Sequence, residues 1–528
     1  VTDVASPAGP GIEGASTSLT RGAFWVAVAA IFLVATVLRI PTLVTRPLWL
    51  DETYSAWFSA LSLHELWSEV PGYETHPPLY YTLLKGWRLL FGAGEAGLRS
   101  LSVLASLATV FLLSISGRLL KAGRAGETIL LLAGLLLAVN AENIKYAQEA
   151  RPYALETFAA TLALISAAGF VRALGLQASG NSKAAVRWAI MLSLAGGLLL
   201  WCHNTALFIA FGLWCGLALA ILLSNSSCKP RMLVIACCAG LGALVIWSPF
   251  LPWFISQSRS FSNMQFWLKP TPYDLISAWI LAGGSLPPAV LIILLAIPGM
   301  WVLWRHERAL AAGLCVTLLL PLCIVLTLSF AVKPVYIDRL FGWMAPPLMV
   351  LAACGVAGIF RAAPARLTVC GVVIALSLQS VTQGYLRPPI EDFRALAADL
   401  TANVKPDDIV VAIPNELDVA MKYYGSTAGS PEVMYLPGPF PYRDKDDGHM
   451  YVANLGAPRI VPADVVGLAE RLAGHPRIWL LTRRGDLYDP DNLLLRAISD
   501  VNRQTAEARY GLVELRLFER DPGARRLP

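Results

Sequence analysis

Apolar runs separated by short polar loops recur along the chain from residue 22 to about residue 385. Eleven such runs, at 22–40, 98–118, 127–141, 153–173, 188–203, 205–223, 232–254, 287–304, 309–331, 342–360 and 367–385, predict eleven membrane-spanning helices. A bilayer core needs about 20 apolar residues of helix, and lipid leaves only helices or closed barrels to satisfy the backbone. The runs are too long and unbroken for barrel strands. A further stretch, HPPLYYTLLKGWRLLFG at 76–92, carries Lys85 and Arg88. With about 15 apolar-leaning residues it reads as a helix lying along the outer interface. Beyond residue 386 the long runs stop and charge rises. Short apolar segments (DIVVAI at 408, RIWLLT at 477, YGLVELRLF at 510) alternate with helical stretches at 391–402 and 462–474. That pattern predicts a soluble α/β domain. The expected organisation is a disordered cytoplasmic 1–21, a transmembrane domain at 22–385 with a large outer loop at 41–97, and an α/β domain at 386–528.

Loop charge orients the chain. With the amino terminus inside, the inner loops hold Arg118, Lys121, Arg124, Arg172, Lys183, Arg187, Lys229, Arg231, Arg305, Arg308, Arg361 and Arg366. The outer loops hold fewer cations per residue and most of the acids, as the positive-inside rule requires. An odd number of spans puts the α/β domain outside, which is the periplasm if the source is a bacterium. The run at 22–40 has no small-residue cleavage site after it and reads as an anchor.

Composition agrees: 56% of residues are hydrophobic and 15% charged. The net charge of +6 sits mostly in the inner loops and gives no reason to invoke nucleic acid. Of the nine cysteines, eight lie in apolar runs, Cys228 lies in a basic loop, and no CxxC occurs, so no disulfide framework is expected. No HxxxH, P-loop or GxSxG is present, so neither a metal nor a soluble nucleotide-sugar site is indicated.

Chemistry concentrates in the outer loops. RPLWLDETYSAWFSAL (46–61) places Asp51 and Glu52 ahead of Tyr54, Trp57, Phe58 and Leu61. That i, i+3, i+4, i+7 stripe predicts an amphipathic helix on the membrane surface. Asp51 reads equally as a helix N-cap and as a catalytic carboxylate. NIKYAQEARPYALE (143–156) holds Lys145, Glu149, Arg151 and Tyr153 between two spans, where charge marks either function or a structural pair such as Lys145–Glu149 or Glu149–Arg151. Loop 255–274 brings Arg259 and Lys269, and KPVYIDRLFGW brings Lys333, Asp338 and Arg339. Singly each cation reads as a headgroup anchor. Together, acids beside cations suit a reaction on a lipid-borne anion: cations hold a phosphate and a carboxylate takes a proton from a nucleophile. His76, in a Pro-rich turn at this face, reads first as a hydrogen-bonding group.

WLDETYSAWF, HPPLYYTLL, GLRSLSVL and YAQEARPYALE, in that order, resemble the glycosyltransferase family 39-like membrane proteins of the GT-C superfamily, with the protein O-mannosyltransferases and the lipid A aminoarabinose transferase. The motifs cover about residues 20–160, and KPVYIDRLFGWMAPPLMVL looks like the last charged outer loop of that family. The resemblance implies a sugar donor on a polyprenyl monophosphate, presented from the outer leaflet of a bacterial inner membrane. The acceptor it implies is an envelope lipid, polysaccharide or protein. It implies Asp51 as general base and Glu52 as an orienting acid, with Glu149 and Arg151 lining the cavity. Tyr80, Tyr81 and His76 fall at the turn where relatives bind phosphate, although His76 stands where the aminoarabinose transferase has lysine. Arg259 or Lys269 then supplies the phosphate clamp of the later outer loop, and at least two of Arg151, Arg259, Lys269 and Arg339 are expected to converge on one outer-leaflet cavity near Asp51. No cofactor or metal is expected, because cations can stabilise the leaving group. The rival reading is a transporter or flippase of a lipid-linked sugar, which predicts broken helices and polar groups at the midplane. Most ionisable residues here lie near span ends instead. A third reading, a non-catalytic relative whose tail binds glycans, is disfavoured by the acids at 51 and 52.

Overall fold

The structure is a computed structural model that describes residues 20–175, 182–261, 268–425, 433–443, 448–452, 454–500 and 502–520. The stretch 1–21, expected to be disordered, lies outside the described residues but for its last two. In chain order the principal helices are α1 (Arg21–Val37), α2 (Leu50–Phe58), α3 (Leu63–Ser68), α4 (Leu79–Phe91), α5 (Glu95–Leu119), α6 (Gly123–Ala138), α7 (Ala141–Ala147), α8 (Tyr153–Gly175), α9 (Ser182–Leu200), α10 (Ala206–Leu223), α11 (Lys229–Trp247), α12 (Leu251–Phe261), α13 (Asp274–Gly283), α14 (Leu286–His306), α15 (Arg308–Ala331), α16 (Ala345–Ile359), α17 (Ala363–Leu386), α18 (Phe393–Asn403) and α19 (Leu417–Tyr424). The strands are β1 (Ile409–Ile413), β2 (Val433–Tyr435), β3 (Arg477–Arg483), β4 (Asn502–Tyr510) and β5 (Val513–Arg520).

Among the described residues nine helical segments are long and apolar enough to cross a membrane, or ten if the bent pair α6–α7 forms one span. Each of the eleven expected runs coincides with a helix, but two are not simple spans. In the run at 127–141 the Asn140 side chain accepts the Asn143 N–H at 2.9 Å and starts a new helix, so α6 and α7 meet at 64°. In the run at 22–40 helix α1 stops after 17 residues, ahead of Pro41, whose ring disfavours helical conformation in the residue before it. This is a polytopic α-helical membrane protein carrying a carboxy-terminal α/β domain.

The chain divides into two compact units. The first holds Val1–Pro41, Ser102–Pro249 and Pro270–Leu386. Its helices pack through small residues: a Cβ on Gly299 of α14 would lie 1.8 Å from the Leu351 carbonyl oxygen, and one on Gly355 of α16 would lie 1.9 Å from that of Leu295. Apolar side chains gain little by leaving lipid, so close backbone approach is what holds such helices together. Arg39, fully buried just past α1, donates to Ser106, Asn143 and the Ala35 and Ala138 carbonyls at 2.7–3.0 Å. One guanidinium thus ties α1 to α5, α6 and α7, and its buried N–H groups are satisfied.

The second unit holds Thr42–Leu101, Phe250–Lys269 and Arg387–Pro528. Its five-stranded sheet runs β2-β1-β3-β5-β4; β1 is parallel to β2 and β3, while β5 is antiparallel to β3 and β4. The central β1 and the Ile478–Leu481 segment of β3 are almost wholly buried, which explains their continuous apolar sequences. Helices α2, α3 and α4 of the outer loop belong to this unit, not to the helix bundle. Helix α4, at 13 residues about 20 Å long, is too short to cross a bilayer. It buries Tyr80, Tyr81 and Leu84 and exposes Leu89, Leu90 and Phe91 at its far end, as an interfacial helix does.

The aromatic stripe of α2 departs from expectation. It does not face a membrane. Tyr54 lies 5.2 Å and Trp57 5.5 Å, ring centroid to centroid, from Phe440 of the α/β domain, and Phe58 lies 4.8 Å from Tyr81 of α4. The periodicity is right, but protein covers the apolar face. A stripe of aromatics does not distinguish a lipid surface from a protein one.

Candidate functional site

Helix α2 presents the two acids differently. The helix begins at Leu50, so Asp51 and Glu52 both lie in its first turn, and Trp49, not Asp51, is the N-cap. The expectation of Asp51 as a cap is therefore corrected. Its position still favours an anionic side chain, because unpaired N–H groups make this end of the helix positive. Glu52 is fully buried and receives a two-pronged pair from Arg99, Nε to Oε1 at 2.8 Å and Nη2 to Oε2 at 2.6 Å. Arg99 also donates to the carbonyls of Thr42, Leu43, Arg46 and Pro47 at 2.7–3.4 Å. It gathers the chain leading into α2 around one cation. Asp51 by contrast stays half-buried in a helix whose next five residues are all buried. The two neighbouring acids have separate jobs: Glu52 is committed to structure, and Asp51 keeps solvent access.

The HPP turn is held from within. The Glu74 carboxylate accepts the His76 backbone N–H at 2.9 Å and also pairs with His76 Nδ1. Gln257 of α12 donates to the carbonyls of Pro71 and Glu74 at 2.9 and 2.8 Å, fixing the turn against that helix. Tyr80 and Tyr81 are 1% and 0% exposed and belong to the aromatic core under α2. Arg259, in the last turn of α12, and Lys269 are both exposed.

Three candidate residues belong to the other unit. Arg151 is buried and follows α7, with its carbonyl accepting from Ser102 at 3.2 Å. Its guanidinium carbon stands 5.9 Å from the Tyr153 ring centroid, and that of Arg339 stands 5.6 Å from the same ring. Two of the four cations expected to form a clamp thus lie beside one aromatic ring, and each can gain cation–π attraction from it. Glu149 lies two residues before Arg151, and its carbonyl accepts the Arg151 N–H at 2.8 Å. Lys145 pairs with Glu142 at 3.1 Å, one turn along α7.

Among the described residues no group of three or more His, Cys, Asp and Glu side chains is placed to hold a metal ion. A cavity of about 380 Å³ lies within the first unit, between the carboxy-terminal half of α8 and helices α5, α6, α10, α14, α15 and α16, with the Arg172–Glu307 pair on its wall. None of the predicted site residues lines it.

Sequence reasoning assigned no role to Arg99, Glu391, Glu416 or Arg483, all of them in buried ion pairs of the second unit. Arg99 had a signal: it is the one charge in the motif GLRSLSVL, at the head of an apolar run. The other three sit in polar surroundings where nothing local sets them apart.

No family model and no curated protein sequence matches the chain. Solved structures do. ArnT from Cupriavidus metallidurans in the apo state superposes with a TM-score of 0.61 at 14% identity, over 94% of this chain and 98% of that one. The same protein bound to undecaprenyl phosphate gives 0.60 over the same spans. The apo oligosaccharyltransferase of Archaeoglobus fulgidus gives 0.56 at 12% identity, over 87% of this chain and 70% of that one. These neighbours are GT-C proteins, and the chain has the GT-C fold.

Proposed function

We propose that the protein transfers a sugar from a polyprenyl-phosphate-linked donor to an acceptor hydroxyl, with inversion, Asp51 serving as general base. The observation that carries this reading is the division of labour on α2: of two adjacent acids, one is locked to Arg99 and the other is left accessible at a positive helix end. The fold supports it, since ArnT has been solved with undecaprenyl phosphate and the Archaeoglobus fulgidus AglB with a dolichol-phosphate and an inhibitory peptide. In the proposed step the acceptor oxygen attacks the anomeric carbon while its proton passes to the Asp51 carboxylate. The bond from that carbon to the phosphate oxygen breaks, and its electron pair leaves with polyprenyl phosphate. Cations stabilise that charge as it develops, which is where preorganised electrostatics contribute most. Arg151 and Arg339 are the best placed in the first unit, and Arg259 and Lys269 are the candidates in the second; His76 and the tyrosines brace the turn beside α2.

Release of polyprenyl phosphate from a reconstituted polyprenyl-phosphate sugar, followed by mass spectrometry with envelope extract as acceptor, tests the reading. Release with a new glycosylated product supports it. Movement of intact donor across the bilayer, without bond cleavage, would favour the transporter. Each of Arg151→Ala and Arg339→Ala is expected to slow transfer about ten- to a hundredfold, from the roughly 1.5–3 kcal/mol of one charge-assisted contact. Lysine should restore little wherever the contact is bidentate. Unchanged turnover in all of Arg151→Ala, Arg259→Ala, Lys269→Ala and Arg339→Ala would leave the mechanism without its leaving-group stabiliser.

The inner-loop cations support an outer-face location for the α/β domain, in the periplasm of a bacterial inner membrane. A reporter active only outside the cytoplasm, fused after residue 400, is expected to be active. Activity of a cytoplasmic reporter at that point would invert the topology.

A further inference from the structure

We propose that Glu391 and Glu416 of the α/β domain, bridged by Arg483, are positioning residues for Asp51: they hold the amino-terminal end and one face of α2 so that the general base is presented in a fixed place. This rests on the reading of Asp51 given above and assigns a role to the carboxy-terminal domain.

The contacts all lie in the second unit. Trp49 caps α2 with no side-chain hydrogen bond, so the first N–H groups of the helix need an outside acceptor. Glu391 supplies it, accepting the Leu50 N–H at 2.8 Å through Oε2. Its other oxygen takes Arg483 Nε at 2.5 Å. Arg483 Nη1 then reaches Glu416 Oε1 at 2.9 Å, and Glu416 Oε2 accepts the Tyr54 hydroxyl, one turn on from Asp51, at 3.0 Å. Asn454 and Tyr488 complete the shell around Glu416 at 3.0–3.2 Å. Glu391 and Glu416 are 0% and 2% exposed. The segment ahead of α2 is held by the same domain: Arg394 donates to the Val44 carbonyl at 2.9 Å, Arg46 donates to the Arg387 carbonyl at 2.9 Å, and the Tyr424 hydroxyl accepts the Leu48 N–H at 2.6 Å.

Glycine at 511 makes the arrangement possible. The β4–β5 turn has φ +70° there, and a Cβ would sit 2.0 Å from the Ile390 carbonyl oxygen, next to Glu391. The chain before α18 can therefore lie directly on the hairpin, with Leu512 N–H donating to Ile390 at 2.9 Å.

A buried ion network of this kind is a weak source of stability, because desolvation offsets the Coulomb gain. Here it buries two carboxylates against one guanidinium, with the negative charge of Asp51 in electrostatic reach. Burial raises the Glu416 carboxyl above its ordinary range; Arg483 and the Tyr488 and Tyr54 hydroxyls oppose that rise and Asp51 adds to it. The groups facing Glu416 are Asp51 and Tyr54 from α2, and Arg483, Tyr488 and Asn454 from the domain, with Glu391 sharing Arg483. The charge of Asp51 and that of Glu416 are thus coupled, which ties the domain electrostatically to the base. Such linkage is a functional arrangement more than a stabilising one.

The test uses the full chain in lipid nanodiscs. Amide exchange across residues 49–58 is expected to rise at least tenfold in Glu391→Ala and to stay near wild type in Glu391→Gln, which keeps an acceptor for Leu50. This readout needs no activity, so it separates failure of the clamp from failure of the transfer reading. With donor and acceptor in hand, Glu391→Ala should lower kcat at least tenfold with donor KM within about twofold, and Gln should recover most of it. Glu416→Gln should move the acid limb of the pH–rate profile to lower pH, because a negative neighbour of Asp51 is lost. Tyr54→Phe, which removes only one hydroxyl, should shift kcat and not KM. Unchanged exchange at 49–58 in Glu391→Ala, or an acid limb unmoved in active Glu416→Gln, would overturn the proposal.

Discussion

Asp51→Asn should abolish transfer while leaving the folded, inserted protein intact. Asparagine keeps the size of the side chain and a hydrogen-bonding oxygen but cannot accept the acceptor's proton at neutral pH. Loss of a general base costs roughly 10²- to 10⁴-fold in rate. The structural cost is small: Asp51 is half-buried, is not the helix cap and has no place in the Glu52–Arg99 pair, and its charge at the helix end is worth about 0.3–1 kcal/mol. Turnover measured beside a melting curve in the same detergent separates the two effects. Near wild-type turnover in Asp51→Asn would reduce the residue to a helix-end charge. Serine is a poorer probe than asparagine here, because position 51 lies inside the helix and a short hydroxyl has no capping role to preserve.

The fold was legible wherever one physical effect dominated. Lipid imposes long apolar helices, and each of the eleven predicted runs coincides with a helix, including the bent α6–α7 pair and the short α1. β1, β3 and β5 stood out because central strands need continuous or alternating apolar residues. β4 did not: NRQTAEARY is a solvent-facing edge strand whose pairing is supplied by β5, not by its own side chains. The helix predicted over 462–474 forms as two short pieces, Pro462–Val465 and Leu468–Leu472, separated at Gly467 with φ +69°. Residue type and loop position made Asp51, Arg151 and Arg339 candidates, but partner identity was invisible. Glu52 finds Arg99 47 residues away, and Leu50 finds Glu391 341 residues away. Only the tertiary fold brings those groups together, and a single sequence holds no record of the pairing. The same limit let the stripe on α2 read as a membrane face when it is covered by Phe440 and Tyr81.

The largest loss of stability is expected from breaking the Glu52–Arg99 pair on one side. Both side chains are almost completely buried, at 1% and 3% exposed. Removing one partner of such a pair leaves an uncompensated charge away from water and costs about 3–5 kcal/mol. Arg99→Leu is the more damaging choice. It strands the Glu52 carboxylate and also removes the donor for four backbone carbonyls, so the turn from Thr42 to Pro47 loses its tie. Glu52→Gln is milder, since an amide oxygen still accepts from the guanidinium. The order expected in thermal unfolding is therefore wild type above Glu52→Gln above Arg99→Leu, with protease cleavage in residues 42–50 appearing first in Arg99→Leu. Replacing both residues by leucine should recover part of the loss but not all of it, because the carbonyls remain without their donor. Asp51→Asn should melt close to wild type in the same series. If Arg99→Leu also melts within about 1 kcal/mol of wild type, below the range for a broken buried pair, then Glu52 is not committed to structure. The separation of roles between the two adjacent acids, on which the assignment of Asp51 as base depends, would then fail with it.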